Sequence, residues 1–167
     1  MPLVLARIDD RFIHGQVTVG WSRKLQPDRI ILCNDKIAAD PWQSRVYASS
    51  VPPQMRVSVL DRESTARFLA GDGMLDRGED IILLVGSPID MQDLHRRGLP
   101  IGEVNVGGMH YMKGKRELLE FVYVDKRDLK ALRALQDDGV RLVAQTVPGV
   151  KAIELDGDQL AELENML

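Results

Sequence analysis

Short, continuous apolar runs recur along the chain, and longer amphipathic stretches separate them. Runs of this kind that are rich in Val and Ile are typical of strands covered on both faces. The run at 140–147 is the weakest candidate, because Arg141 and Gln145 interrupt it, and we predict it as an edge strand. The runs lie at residues 3–8, 29–33, 56–60, 80–85, 103–106, 121–124 and 140–147.

Helix-starting signals stand in the stretches between these runs. An N-capping side chain, in two cases followed by proline at the first helical position, marks each start. The predicted starts are Asp40-Pro41, Ser87-Pro88, Asp125 and Asp156. Because strand and helix signals alternate from end to end, we predict an α/β fold. We expect one domain over residues 1–167, with a mostly parallel sheet of about six or seven strands and helices on both faces.

Composition excludes several classes of protein. The net charge of −3, from 22 basic and 25 acidic residues, gives no electrostatic reason to expect nucleic acid binding. The single Cys33 rules out an intrachain disulfide, and its apolar surroundings predict a buried structural thiol. No segment reaches the ~18 consecutive apolar residues of a membrane-spanning helix. The N-terminus is more typical of a core strand than of a signal peptide, so we expect a soluble, cytoplasmic protein.

The most reactive segment, RIDDRFIHGQV at residues 7–17, spans the change from the first strand to a helix. In open α/β sheets, ligands bind outside the carboxyl ends of the strands, which places His14 at that edge. Gly15 permits a tight turn beside it. We expect the free N–H groups of Gln16, Val17 and Thr18 to point at an anion there.

These residue types suit a phosphoryl carrier. Neutral imidazole is a nucleophile near its ordinary pKa and also a reasonable leaving group. Arg7 and Arg11 can bind a dianionic phosphoryl group. Either Asp9 or Asp10 could accept a hydrogen bond from one ring nitrogen of His14 and leave the other free to attack. An isolated loop histidine is more often structural, but here glycine, two arginines and a helix start converge on it.

This segment also carries a resemblance. Residues 7–17 resemble the active-site signature of the IIB component of the mannose/fructose/sorbose family of the phosphoenolpyruvate-dependent sugar phosphotransferase system (PTS). The likeness covers most of the chain, to about residue 147, and is strong again at 104–109, VNVGGM. It also includes Trp21, Arg29-Ile30-Ile31, Asn34-Asp35, Ala38-Ala39-Asp40, Pro52-Pro53 and Gly114-Lys115.

The resemblance implies a function. In that family, IIB accepts a phosphoryl group from a phosphohistidine of the IIA component or domain. It passes the group to a sugar that the membrane components IIC and IID bring in, as a protein-Nπ-phosphohistidine–sugar phosphotransferase, with no metal or organic cofactor. His14 falls on the phosphorylated histidine, attached through Nδ1, and Arg11 on the arginine that contacts the phosphoryl group. We predict that Asp10 is the carboxylate that orients His14. We also expect IIC and IID to determine most of the sugar selectivity, and the protein to associate with the inner face of the membrane only through them.

Other residues have two interpretations each. Gly107 and Gly108 should open onto the same sheet edge, either as a backbone wall close to the phosphoryl group or as a turn with positive φ. Ser87 is predicted as a helix N-cap whose geometry could also bind phosphate. His110 could be a second catalytic group, although packing is favoured, and His95 is expected at a solvated helix end. Trp21 and Trp42 are predicted to pack in the core or against helices rather than to form a docking surface.

Two other functions are compatible with the sequence. A regulatory module could use phosphorylation of His14 as a switch, and a stand-alone hydrolase or mutase could use His14 as its nucleophile. The chain lacks G-x-G-x-x-G after the first strand, G-x-x-x-x-G-K-[ST] and G-x-S-x-G, which argues against nucleotide enzymes and α/β-hydrolases. A metal held by Asp9, Asp10 and His14 is disfavoured, because no supporting shell is evident.

Overall fold

A computed structural model describes residues 3–71 and 78–167 of the protein. Its main sheet has seven strands in the order β3-β2-β4-β1-β5-β8-β9; all neighbours run parallel except β9, which is antiparallel to β8. A separate antiparallel pair consists of β6 and β7. The strands are β1 Leu3–Asp9, β2 Arg29–Cys33, β3 Arg56–Leu60, β4 Ile81–Val85, β5 Glu103–Gly108, β6 Arg116–Leu119, β7 Val122–Val124, β8 Arg141–Ala144 and β9 Ile153–Glu154.

The helices begin where the capping residues predict. Asp40, Ser87, Asp125 and Asp156 each accept a backbone N–H of the first helical turn. Helix α1 is a π-helical segment, Gln16–Trp21, that continues as an α-helical segment, Ser22–Leu25. The others are α2 Asp35–Ala38, α3 Pro41–Ala48, α4 Arg62–Ala70, α5 Pro88–Arg96, α6 Lys126–Asp137 and α7 Gly157–Met166. Within the described ranges, no helix is long and apolar enough to cross a membrane.

Two hydrophobic cores cover the two faces of the sheet, as predicted. Alternate residues of the central strands, such as Ile31 and Ile30, face opposite cores because strand side chains alternate. One core receives side chains from α4 to α7 and contains Cys33, whose pKa burial raises to about 12. The other receives α1 and α2 and contains Trp21. Trp42 is 70% exposed on α3, which has no buried residue, so its prediction as a core or helix-packing residue is wrong.

Two strand predictions differ from the structure. The run at 121–124 joins the small hairpin with β6 rather than the main sheet. The run at 140–147 forms β8, which lies between β5 and β9 and is therefore not the edge. The edge strand on that side of the sheet is β9, which was not predicted: both of its residues are exposed, so it carries no buried apolar run that could reveal it.

Strand β1 lies between β4 and β5 near the middle of the sheet. The chain continues from β1 into α1 on one face, and from β4 into α5 on the opposite face. In doubly wound sheets, a crevice opens where neighbouring connections diverge in this way, outside the carboxyl ends of the strands. The fold therefore places the end of β1 at the position where such proteins bind ligands.

Candidate active site

The last residue of β1, Asp9, is the centre of the site. Its side chain is fully buried and accepts hydrogen bonds from Arg7 Nη2 at 3.0 Å, Arg11 Nε at 3.0 Å and His14 Nε2 at 2.8 Å. Burial by itself would raise the pKa of Asp9. The hydrogen bonds from His14 and Arg11 and the charge of Arg7 outweigh that effect and hold the pKa well below its ordinary value. Asp9 is therefore a carboxylate at neutral pH.

The ionised state of Asp9 determines the tautomer of His14. A carboxylate only accepts hydrogen bonds, so Nε2 of His14 carries the hydrogen that bridges to Asp9 Oδ2. The neutral ring then keeps its lone pair on Nδ1. The side chain is 19% exposed, which leaves an edge of the ring open to solvent. The contact with Asp9 thus orients the ring and leaves Nδ1 as the nitrogen with an available lone pair.

Arg11 lies beside Asp9 and His14, and its side chain is partly exposed. It donates from Nε and Nη2 to both oxygens of Asp9, and Nη2 also donates to Gln16 Oε1 at 2.9 Å. The side chain is 34% exposed and approaches Gly108 so closely that a Cβ there would lie 2.9 Å from Nη2. Gly108 therefore makes room for a partly exposed cation beside Asp9.

Arg7, by contrast, is completely buried and does not face solvent. Its prediction as a phosphate ligand is wrong, because all three of its guanidinium nitrogens donate to acceptors within the protein. Gly107 packs flat against this guanidinium, and a Cβ at that position would overlap it. Neither Gly107 nor Gly108 has a positive φ, so the alternative interpretation as a left-handed turn is wrong. The acceptors of Arg7 are Asp9, Gln16 Oε1, Asn105 Oδ1 and the carbonyls of Gln145 and Thr146.

The loop between β1 and α1 is anchored by Phe12. This residue has a φ of 57°, which is unusual for a bulky side chain, and it is only 8% exposed. Its ring packs against Gly86, where a Cβ would lie 2.8 Å from Cζ, and edge-on against Tyr47 with centroids 6.1 Å apart. The strained backbone is thus held by core packing, which fixes the position of the residues that follow.

The start of α1 differs from the prediction. The N–H groups of Val17 and Thr18 donate to the His14 carbonyl at 2.9 and 3.0 Å, so they are not free to bind an anion. The helical turn closes early because Gly15 already has helical angles, φ −53° and ψ −38°. The Val17 side chain is fully buried in the core. Gln16 contributes through its side chain, whose oxygen bridges Arg7 and Arg11.

The second carboxylate, Asp10, has another partner. Its oxygens accept the backbone N–H of His110 at 2.7 Å and lie 2.6 Å from His110 Nδ1. Asp9, and not Asp10, orients His14, which corrects the prediction. His110 is 66% exposed, so of the two predicted kinds of packing, hydrophobic or surface, only surface packing fits.

Ser87 acts as the N-cap of α5, accepting the N–H of Asp90 at 3.2 Å. That contact confirms the capping interpretation. His95 lies in the last turn of α5 with Nε2 3.3 Å from Asp138. Among the described residues, His, Cys, Asp and Glu form no cluster of three or more that could hold a metal ion.

Three residues of the site escaped the sequence analysis: Asn105, Gln145 and Thr146, which hold Arg7. The sequence could have identified Asp9 as the carboxylate beside Arg7. Arg7 and Asp9 are two apart on one strand and share a face, so their side chains had to lie together. Nothing in the local sequence marks the carbonyls after β8 as partners of a residue almost 140 positions earlier.

Comparison with known proteins identifies the family of the chain. Residues 3–165 match the family model described as PTS system sorbose subfamily IIB component. The chain belongs to this family. The IIB chain is similar to the sorbose-specific EIIB component of Klebsiella pneumoniae, with 35% identity covering 93% of each chain. It is also similar to the fructose-specific EIIB component of Bacillus subtilis, with 37% identity covering 89% of this chain and 90% of the relative.

Solved structures share the whole architecture. The crystal structure of the IIBSor domain of the sorbose permease from Klebsiella pneumoniae superimposes with a TM-score of 0.88 and 34% identity, covering 97% of this chain and 98% of that one. The predicted family and the predicted α/β fold are therefore confirmed. The protein is a IIB component of the sorbose/mannose family and functions in the sugar phosphotransferase system.

Proposed function

We propose that this IIB component carries a phosphoryl group on Nδ1 of His14. It accepts the group from a phosphohistidine of a IIA protein or domain and passes it to a sugar imported by IIC and IID at the inner face of the membrane. The observation that carries the proposal is the Asp9–His14 bond, which commits Nε2 and leaves Nδ1 free. A mannose-specific relative in Escherichia coli is named an EIIAB component, and this chain covers 48% of it, which supports a IIA partner.

Acceptance begins when the Nδ1 lone pair attacks phosphorus in line with the donor nitrogen. The N–P bond of the donor breaks as the bond to Nδ1 forms, and its electron pair returns to the donor ring. Positive charge grows on the His14 ring, and the Asp9 carboxylate 2.8 Å from Nε2 offsets it. In the second transfer, the same ring is the leaving group.

Arg11 stabilises the transferred group. Its side chain is 34% exposed beside Asp9, so an Nη hydrogen can bind a phosphoryl oxygen. Arg7 has a different task. Being buried and saturated with acceptors, it keeps Asp9 ionised and fixed, which orients His14 without contact with the phosphoryl group.

The test is transfer of labelled phosphate from phosphoenolpyruvate through the general PTS proteins and a sorbose- or mannose-family IIA. We expect one label per chain, stable to base and labile to acid, on the peptide that contains His14. The Klebsiella pneumoniae IIBSor domain serves as the positive control for the donor. Failure to label this protein while the control is labelled would contradict the proposal. Labelling without onward transfer to a sugar would favour the regulatory module instead.

Replacing Arg11 by alanine should slow acceptance by about 10²-fold or more, because one preorganised donor to the transferred group is lost. The fold should persist, since Asp9 retains Arg7 and His14. The rate of label acceptance, with circular dichroism to check the fold, measures both effects. Arg127→Ala, which removes an exposed arginine of α6, is the matched control. An unchanged rate in Arg11→Ala would show that Arg11 only supports Asp9.

A further inference from the structure

A second imidazole stands at the same edge of the sheet as His14. Strands β1 and β5 are neighbours, with Asp9 in register with Gly108, and the Asp10 N–H donates to the Gly108 carbonyl at 3.1 Å. His110 lies two residues after Gly108. The Asp10 carboxylate contacts both the backbone N–H and the ring Nδ1 of His110. Consecutive carboxylates, Asp9 and Asp10, therefore each hold one histidine.

The two histidines expose opposite nitrogens. Asp10 Oδ1 lies 2.6 Å from Nδ1 of His110, and a carboxylate accepts, so Nδ1 carries the hydrogen in the neutral ring. The lone pair is then on Nε2, in a side chain that is 66% exposed. An aspartate that fixes one imidazole nitrogen and leaves the other free to take a proton is the arrangement of a general base. His14 has the reverse arrangement, with Nδ1 free to take a phosphoryl group.

The two transfers of a phosphoryl carrier differ in their need for a base. Transfer from a donor histidine to His14 joins phosphorus to a nitrogen lone pair, and no proton has to leave the acceptor. Transfer to a sugar joins phosphorus to a hydroxyl oxygen, which must lose its proton. Asp9 and Asp10 already use their oxygens to accept hydrogen bonds, and the arginines have no acceptor atom.

We propose that His110 is the general base of the second transfer; this inference rests on the proposed function. As the sugar hydroxyl attacks phospho-His14, the O–P bond forms and the P–Nδ1 bond breaks, with its electron pair returning to His14. The hydroxyl proton passes to Nε2 of His110 and then to water. Asp10 holds the ring in the required tautomer and stabilises the charge that appears on it.

The test separates the two transfers in three proteins. His110→Asn keeps an amide N–H to donate to Asp10 but has no base, whereas His110→Ala loses both. Acceptance is measured with labelled phosphate from a sorbose-family IIA. Onward transfer is measured from the purified, labelled protein to sorbose, with membrane vesicles that contain a sorbose-family IIC/IID pair. We expect acceptance to stay within about twofold of the wild type and sugar transfer to fall at least about tenfold in both variants.

Added imidazole should restore part of the sugar transfer in His110→Ala, because the site is open to solvent. Three results would overturn the inference. Wild-type sugar transfer by His110→Asn would show that no base is needed. If His110→Ala lost phosphate acceptance and sugar transfer equally while His110→Asn kept both, the role of His110 would be only to hold its loop in place through Asp10. A wild-type protein that takes no label would contradict the proposed function itself and this inference with it.

Discussion

The His14→Ala protein is expected to accept no labelled phosphate from IIA while it folds as the wild type does. The substitution removes the imidazole ring that the buried Asp9 carboxylate orients, and with it the Nδ1 atom proposed to attack phosphorus. The structural cost is one charge-assisted hydrogen bond, worth about 1.5–3 kcal/mol, because Arg7 and Arg11 still pair with Asp9. Label incorporation and urea unfolding measure the two effects separately.

The other two histidines provide matched controls for this prediction. His95 lies on α5 beside Asp138, and His110 binds Asp10, so neither contacts Asp9 in the structure. His95→Ala and His110→Ala should both retain full labelling. Retention of the label by His14→Ala would assign the phosphoryl group to a different residue and refute the role of His14.

The Asp9→Asn protein should accept phosphate about 10³-fold more slowly or worse, because the substitution changes the tautomer of His14. An asparagine amide can donate its N–H to Nε2, which would move the ring hydrogen to Nδ1 and remove the attacking lone pair. The same change should lower the free energy of unfolding by about 3–5 kcal/mol, because the fully buried Arg7 loses its counter-charge. Transfer rate and urea unfolding, measured on the same preparation, test both statements.

Asp10→Asn is the control for this second substitution. It makes the same chemical change one residue later, at a side chain that is 30% exposed and bound to His110. We expect near-normal acceptance and a smaller loss of stability than in Asp9→Asn. Equal stability of the two variants would contradict the importance that the structure gives to the Arg7–Asp9 pair, and normal transfer by Asp9→Asn would contradict the tautomer argument.

Most of the fold was predictable because its signals are local. The core strands are apolar runs, and the capping side chains of Asp40, Ser87, Asp125 and Asp156 start the helices by contacts within one turn. Strand β9 was not predictable in this way. Its two exposed residues are a strand only because β8 offers an unpaired edge, which is a property of the assembled sheet.

The site was predictable only in part, and for the same reason. The position of His14 follows from its place after β1. Which of Asp9 and Asp10 binds His14, however, depends on partners from distant segments. Arg7 could not be recognised as a buried residue from its own neighbourhood, because Gly107 and the carbonyls after β8 create its pocket. For Asp9, the strand alternation with Arg7 was a usable signal.

The surroundings of Arg7 determine when a newly made chain can become functional. Strand β1 has no sheet partner until β4 and β5 exist, and Arg7 lacks two of its acceptors until Gln145 and Thr146 have been synthesised. Contacts of such long sequence separation cost loop-closure entropy and slow folding. A nascent or truncated chain that ends before residue 145 therefore has the complete His14 segment but lacks two of the acceptors that hold Arg7 beside Asp9. Phosphate acceptance should appear only when nearly the whole protein has been made.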